Sequence, residues 1–198
     1  MFYTNPFAEL ISFMPVEVLQ AFVILMVAMV ALGTILDMAH KKNAKYFFIN
    51  YKKATESATK KVSAGEKAAV ISKTIASDIL TTSELGRGQR RAAHLLGMYG
   101  SILFWICSAV LIFAYTGIGK EAPYQISLLW HLGALMTCLG GYWFWFFLRV
   151  DVSAEANPWK RIIRADLFVL SLLAAATFGL AWSYTQYSSF PILDSLFL

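Results

Sequence analysis

The sequence predicts an all-α integral membrane protein with four transmembrane helices and an amphipathic helical hairpin between the first and second. Four apolar stretches of 21 to 23 residues alternate with basic segments, and a helix needs about 20 residues to cross the hydrocarbon core. Apolar residues make up 58% of the chain and charged residues 15%, against about 25% charged residues in soluble domains. The predicted spans are residues 15–36, 95–117, 126–148 and 167–187.

The positions of the basic residues predict the orientation of these spans. Of the 17 Lys and Arg residues, 16 lie in residues 38–95 and 149–164. Lys and Arg accumulate in cytoplasmic loops, so both segments are expected inside, and both termini and the turn at residues 118–125 outside. We therefore expect a multi-pass protein of the inner (cytoplasmic) membrane. The sequence therefore predicts three parts of the chain: residues 1–37 with the first span, the basic segment 38–94, and residues 95–198 with the other spans.

The large basic segment contains two apolar stripes at helical spacing. Phe47, Phe48 and Tyr51 belong to the first, which predicts a helix over residues 44–62, and Ile71 and Ile75 belong to the second. Between the stripes, residues 63–66 have the spacing of a capping box. The sequence therefore predicts two amphipathic helices on the inner side.

Two interpretations of the charge on this segment remain open. Residues 38–95 hold twelve basic and four acidic residues, a formal charge of +8. The first interpretation is attraction to anionic lipid headgroups. The second is a docking platform for a cytoplasmic protein, since a short connection would be enough to join two spans. The predicted docking residues are Lys52, Lys53, Lys60 and Lys61.

Several classes of function are disfavoured by what the sequence lacks. It has no CxxC run, phosphate-binding glycine loop or zinc-binding HExxH helix, so the chain is not expected to be catalytic alone. Nucleic acid is not an expected partner. The middles of the spans hold no Asp, Glu, Lys or Arg, whereas ion pumps and ion-coupled transporters place ionisable groups there. Glycines in the second and third spans instead predict close helix packing: Gly97, Gly100, Gly133, Gly140 and Gly141.

The three histidines are the candidates for cofactor contact. His40 and His94 lie at matching depth at the inner ends of the first and second spans, so they are the candidate axial pair for a haem b iron. Arg90 and Arg91 lie close to His94 in sequence and could neutralise haem propionates. His131, near the outer start of the third span, has no histidine partner there and is a candidate for hydrogen bonding to a quinone carbonyl. Interfacial positions without a ligand remain open for all three.

Four segments of the chain together resemble a known family: residues 40–48, 90–100, 129–135 with Gly140 and Gly141, and 164–168 with residues 177–179. With these segments, the chain looks like the membrane subunit of dissimilatory adenylylsulfate reductase in sulfur oxidisers, which is similar to the cytochrome b-type subunits of quinone-interacting and heterodisulfide-reductase-like complexes. The resemblance extends over about residues 37–186.

The resemblance implies a subunit that holds a cytoplasmic flavin and iron–sulfur oxidoreductase at the membrane and passes its electrons to quinone. By position, His94 and His131 would contact the cofactor or quinone, and Arg90, Arg91 and Asp166 would orient the inner boundary. Cytochrome b subunits of the better-known type carry two histidines on each side, and this chain has three in all. The alternative is a structural anchor without a redox role, which only docks a cytoplasmic enzyme.

Overall fold

The computed structural model describes residues 2–59, 62–86, 88–116, 121–149, 160–164 and 166–188. No strand occurs within these ranges, so the prediction of an all-α protein is confirmed. Short 3₁₀ turns occupy Glu9–Ser12 and Ser83–Leu85, and π-helical turns extend two helices over Ile75–Leu80 and Phe144–Leu148. The helices are α1 (Val16–His40), α2 (Asn43–Glu56), α3 (Ala64–Thr74), α4 (Gln89–Ala114), α5 (Tyr124–Trp143) and α6 (Asp166–Ser188).

Four of the described helices are long and apolar enough to cross a membrane, as the sequence predicts. These are α1, α4, α5 with its π-helical turn, and α6 over Asp166–Tyr187, of 25, 26, 25 and 22 residues. At about 1.5 Å per residue, each exceeds the hydrocarbon thickness of about 30 Å. Two helices extend beyond the predicted spans into the basic segment, because α1 continues to His40 and α4 already begins at Gln89.

The two amphipathic helices form, but the first is shorter than predicted. It ends at Glu56 and not near residue 62. At the observed end, the Ser57 hydroxyl donates a hydrogen bond to the Lys53 carbonyl oxygen at 2.9 Å. Serine competes for backbone groups in this way and favours helix ends. The predicted capping box is present: the Ser63 nitrogen donates to Glu66 Oε2 at 2.9 Å, and the Glu66 nitrogen donates to Ser63 Oγ at 3.2 Å.

The chain divides into two compact units. One consists of residues Met1–Val16 and Thr81–Leu198, and the other of Glu17–Leu80. The second unit therefore contains most of α1 together with α2 and α3, whereas the sequence analysis places α1 apart from the basic segment. Within this unit α1 and α3 bury no side chain, and the described side chains of α2 are all exposed.

In the other unit, close contact between the backbones of α4 and α5 organises the helices. A Cβ added at Gly100 would lie 2.6 Å from the Thr137 nitrogen, and one added at Gly133 would lie 2.6 Å from the Phe104 nitrogen. Side chains larger than glycine would therefore push the two helices apart, which confirms the predicted close packing. α6 also packs against α5. The buried core consists of Phe104, Cys107, Leu111, Trp130, Ala134 and Ala176.

The N-terminal segment is anchored to the end of this unit where α5 begins. Asn5 Nδ2 donates to the Tyr115 carbonyl oxygen at 3.2 Å, and Trp182 Nε1 donates to the Pro6 carbonyl oxygen at 2.9 Å. The Phe7 ring meets the Trp130 ring edge to face at 5.8 Å between centroids. The segment thereby connects the ends of α4 and α6 and covers the start of α5. We call this the capped end.

A buried ion pair joins α5 to α6 at the other end, which we call the basic end. Arg149 Nη2 pairs with Asp166 Oδ2 and also donates to the Arg161 carbonyl oxygen at 2.6 Å. The same carboxylate oxygen accepts from the Ile163 nitrogen at 2.8 Å, and the Arg149 guanidinium lies 4.1 Å from the centroid of the Trp145 ring. Asp166 thus caps the start of α6 and neutralises the last charged residue of the α5 segment.

Gly140→Ala is predicted to destabilise the protein. The added Cβ would lie 2.5 Å from the Gly97 nitrogen and 2.6 Å from the Ala93 carbonyl oxygen, and overpacking of this kind costs about 1–3 kcal/mol. The midpoint of thermal unfolding in detergent should therefore fall. Gly97→Ala is the matched control, because nothing lies within 4 Å of its Cβ position. Equal midpoints for the two variants would contradict this close contact.

Candidate functional site

An apolar cavity of about 470 Å³ lies at the basic end of the α4–α6 unit. Its volume is in the range of small-molecule sites, about 300–1,000 Å³. The first half of α4, the last part of α5 and the first half of α6 form its walls, and small residues on α4 and α5 leave the space open. The lining residues are Leu85, Arg90, Ala93, His94, Gly97, Met98, Ser101, Thr137, Gly140, Gly141, Phe144, Leu148, Phe168, Val169, Leu172 and Leu173.

Two local deviations from regular helix shape the rim of the cavity. Before α4, the chain turns through left-handed backbone at Thr82 (φ 47°) and Gly86 (φ 68°), and the turn places Leu85 against the cavity. Arg91 holds this turn, since its Nε donates to the Thr81 carbonyl oxygen at 2.7 Å. On the opposite wall, the π-helical turn Phe144–Leu148 contributes its first and last residues. Such turns occur frequently at functional sites.

The polar side chains of the cavity are few, and all but Thr137 of α5 lie along one face of α4. Arg90, His94, Gly97 and Ser101 follow one another at intervals of three or four residues, so all four face the same side. The Ser101 hydroxyl donates to the Met98 carbonyl oxygen at 3.0 Å, and the Thr137 hydroxyl donates to the Gly133 carbonyl oxygen at 2.8 Å. His94 makes no hydrogen bond within the part of the chain that the structure describes. His94 is therefore the group that could hydrogen-bond to a ligand entering from the basic end, and the Arg90 guanidinium, which has five N–H donors, lies one turn away on the same face.

The residues that line the cavity could supply one axial ligand to a haem iron, but not two. Of the atoms that haem iron accepts, the lining offers the His94 imidazole and the Met98 sulfur. These residues are four positions apart on α4 and project from the same face, so they cannot occupy opposite sides of one iron. His40 belongs to the other unit, and its pairing with His94 stays a prediction. Within the described residues, no three His, Cys, Asp or Glu side chains cluster to hold a metal ion.

His131 lies in the protein interior, about two turns after the start of α5. Its ring is fully buried, with Nδ1 2.7 Å from the Ser127 carbonyl oxygen and Nε2 2.7 Å from Ser183 Oγ. A carbonyl oxygen can only accept, so Nδ1 carries the proton, and Nε2 accepts from the Ser183 hydroxyl. The Phe2 ring packs edge-on against the imidazole at 5.3 Å. A quinone could bond to His131 only by displacing one of these partners.

The structure brings some of the predicted site residues together and leaves others apart. Arg90 and His94 line the cavity, and Arg91 supports its rim. Lys52 and Lys53 lie on α2, where Lys52 forms an exposed ion pair with Glu56 at 3.8 Å. Lys60 and Lys61 lie outside the described residues. Asp166 lies at the basic end as the resemblance implies, but its partner is Arg149, which the sequence analysis does not single out.

Sequence reasoning missed the apolar walls of the cavity and the serine bound to His131. The recurrence of Arg90, His94, Gly97 and Ser101 every three or four residues could have predicted the wall that α4 forms. Ser183 had no such signal, because it lies 52 positions from His131 along the chain. Comparisons of the chain with models of known families, with curated proteins and with solved structures find no match. The resemblance stated from the sequence therefore remains a hypothesis.

Ser183→Ala is predicted to destabilise the protein, because it leaves Nε2 of the buried His131 ring without a donor. An unsatisfied buried acceptor costs about 1–3 kcal/mol, so the midpoint of thermal unfolding should fall. Ser171→Ala on the same helix is the control, since the exposed Ser171 hydroxyl only donates to the Phe168 carbonyl oxygen one turn earlier. A similar shift for both variants would argue against the interhelical bond.

Proposed function

We propose that this protein is a membrane anchor and electron-transfer subunit that links a cytoplasmic sulfur-metabolism oxidoreductase, adenylylsulfate reductase-like, to the quinone pool. The observation that carries the proposal is the apolar cavity at the basic end, with His94 and Arg90 on one of its walls. A membrane quinone has an apolar ring and tail and two carbonyl oxygens that accept hydrogen bonds. The cavity offers apolar surface for the first and donors for the second.

The position of the cavity also suits a subunit that receives electrons from a soluble partner. The cavity lies where α4 and α6 begin, and basic residues stand in the first turn of α4 and just before α6: Arg90, Arg91, Lys160, Arg161 and Arg164. A cytoplasmic enzyme docked on these residues would bring its redox cofactor near the cavity. Reduction of a quinone to the quinol takes two electrons, which that enzyme would supply, and two protons, both of which would come from water at the basic end, one of them by way of His94. In this proposal the basic end faces the cytoplasm and both termini face outward.

His94→Ala is predicted to weaken quinone binding, and Gly97→Phe to abolish it. Loss of one neutral hydrogen bond costs about 0.5–1.5 kcal/mol, so Kd should rise about 2- to 12-fold. Gly97 lines the cavity and has nothing within 4 Å of its Cβ position, so a phenyl ring there fills the space without a backbone clash. Quenching of tryptophan fluorescence by a short-tailed ubiquinone analogue, titrated into the purified protein, measures Kd.

Two control variants make this test specific for the cavity. Gly33→Phe adds the same ring on α1, where nothing lies within 4 Å of the Cβ position, and should leave Kd unchanged. His94→Gln keeps a hydrogen-bond donor and should recover part of the affinity lost in His94→Ala. Unchanged quinone binding in both His94→Ala and Gly97→Phe would overturn the assignment of the cavity. A Soret band that shifts on dithionite reduction would instead show that haem is bound.

The basic surface of α2 and the chain that follows it is the proposed docking site for the soluble enzyme. Complementary charge raises the rate of association and makes it sensitive to salt. Replacing Lys52, Lys53, Lys60 and Lys61 with Glu should release a co-purifying enzyme, while the protein stays in the membrane fraction. Replacing the same four residues with Arg keeps the charge and should retain the enzyme.

Retention of the enzyme by the glutamate variant at high salt would rule out this docking site. Docking that persists in a protein with neither quinone binding nor a redox-active spectrum would favour the second candidate function, an anchor without a redox role. The observation behind this candidate is the exposed basic surface of α2, which does not depend on the cavity.

A further inference from the structure

One face of α2 is apolar, aromatic and exposed, and it is directly joined to a membrane-length helix. The side chains of Phe47, Phe48 and Tyr51 are 64%, 66% and 55% exposed. The three rings contact one another: those of Phe47 and Phe48 meet edge to face at 5.5 Å, and those of Phe47 and Tyr51 stack at 6.4 Å. They form a continuous patch, which we call the aromatic face of α2.

The link between α1 and α2 determines where this face can lie. α1 ends at His40 and α2 begins at Asn43, and Lys42 between them has left-handed backbone (φ 53°) that terminates the first helix. Three Cα–Cα steps span at most about 11 Å. The headgroup region adds about 5–8 Å beyond the hydrocarbon on each side of a bilayer. If α1 spans the membrane, α2 therefore starts in or next to the headgroups.

The charges of α2 lie away from the aromatic face. At about 100° per residue, Lys53 is about 140° around the helix from Phe48, and Lys45 and Lys52 lie between these directions. Lysine side chains that flank an apolar helix face can reach upward to phosphate groups while their stems cover apolar surface. A helix with an aromatic face and a lysine-rich polar face is typical of those that lie in the membrane interface.

We propose that α2 lies in the lipid headgroup layer, with Phe47, Phe48 and Tyr51 inserted towards the acyl chains and Lys53 facing the cytoplasm. The ligand of the aromatic face is thus a phospholipid surface, preferentially anionic, rather than a protein. This inference rests on α1 crossing the bilayer, as the proposed function requires, but it does not depend on quinone or on haem. This position of α2 would also hold the docking surface at a fixed distance from the membrane. One face of α2 binds lipid, and the opposite face remains available to the soluble enzyme.

The test uses single labelling sites in the full-length protein with Cys107 and Cys138 replaced by Ala. Phe48→Cys reports on the aromatic face, Lys53→Cys on the opposite face, and Met29→Cys on the middle of α1. Each variant carries an environment-sensitive fluorophore in vesicles of phosphatidylcholine, with or without phosphatidylglycerol. Quenchers are aqueous iodide, a lipid with a nitroxide near the headgroup, and a lipid with a nitroxide near the end of its acyl chain.

We expect the label at position 48 to be quenched most by the headgroup-proximal nitroxide, and more strongly when phosphatidylglycerol is present. The label at position 53 should be quenched by iodide instead. Equal iodide quenching at both positions would overturn the proposal, as would protection of position 48 only after a soluble partner is added, since a protein would then cover the aromatic face. Stronger quenching of position 48 by the deep nitroxide would also overturn it.

The label at position 29 separates failure of this inference from failure of its premise. Quenching at position 29 by the deep nitroxide establishes that α1 spans the bilayer, whatever the result at position 48. If position 29 is quenched by iodide, α1 does not cross the membrane, and the location assigned to α2 fails with the proposed membrane anchor.

Discussion

The close approach of the α4 and α5 backbones is the contact on which the rest of the unit formed by α4, α5 and α6 depends. Gly100, Gly133 and Gly140 have no Cβ atom, and a Cβ added at any of them would lie less than 3 Å from the backbone of the facing helix. In hydrocarbon, helices gain little from the hydrophobic effect, because lipid tails are as apolar as leucine, so such packing contacts supply much of the association energy. α6 also packs against α5. One of these glycines, Gly140, lines the cavity as well, so the same small residue serves both the close contact and the open space.

The two ends of the unit are held together by different interactions. The capped end has a structural role, and the basic end carries the proposed function. At the capped end, the two ring nitrogens of His131 bond to the Ser127 carbonyl oxygen and the Ser183 hydroxyl inside the protein, and Phe2 of the N-terminal segment packs against the imidazole. All the hydrogen-bonding capacity of that imidazole is used. At the basic end, by contrast, the Arg149–Asp166 pair fixes α5 to α6, while His94 lines an apolar space. In the proposed function, the quinone contact is therefore His94, and His131 stabilises the fold.

The proposed roles of the basic segment follow from its two faces. A charged surface alone would serve lipid and protein equally, and the sequence leaves both interpretations open. The helical conformation of α2 distributes the two chemistries around its axis, since the aromatic rings share one face and Lys53 lies on another. A lipid-bound aromatic face would hold the lysines at the height where a soluble enzyme meets the membrane. Docking and membrane attachment then become parts of one arrangement.

The sequence by itself determined the helical class, the four apolar helices, the capping box at Ser63 and the use of glycine between the second and third spans. These are local properties, fixed by composition, by periodicity and by the absence of side chains at particular positions. The sequence also placed Arg90 and His94 at the same end of one helix. Only the tertiary structure decided that His94 borders a cavity, that His131 is satisfied by Ser183, and that Arg149 pairs with Asp166. Each of these depends on which faces of α4, α5 and α6 meet, and helix packing sets this through contacts between residues far apart in sequence, which spacing along the chain does not encode.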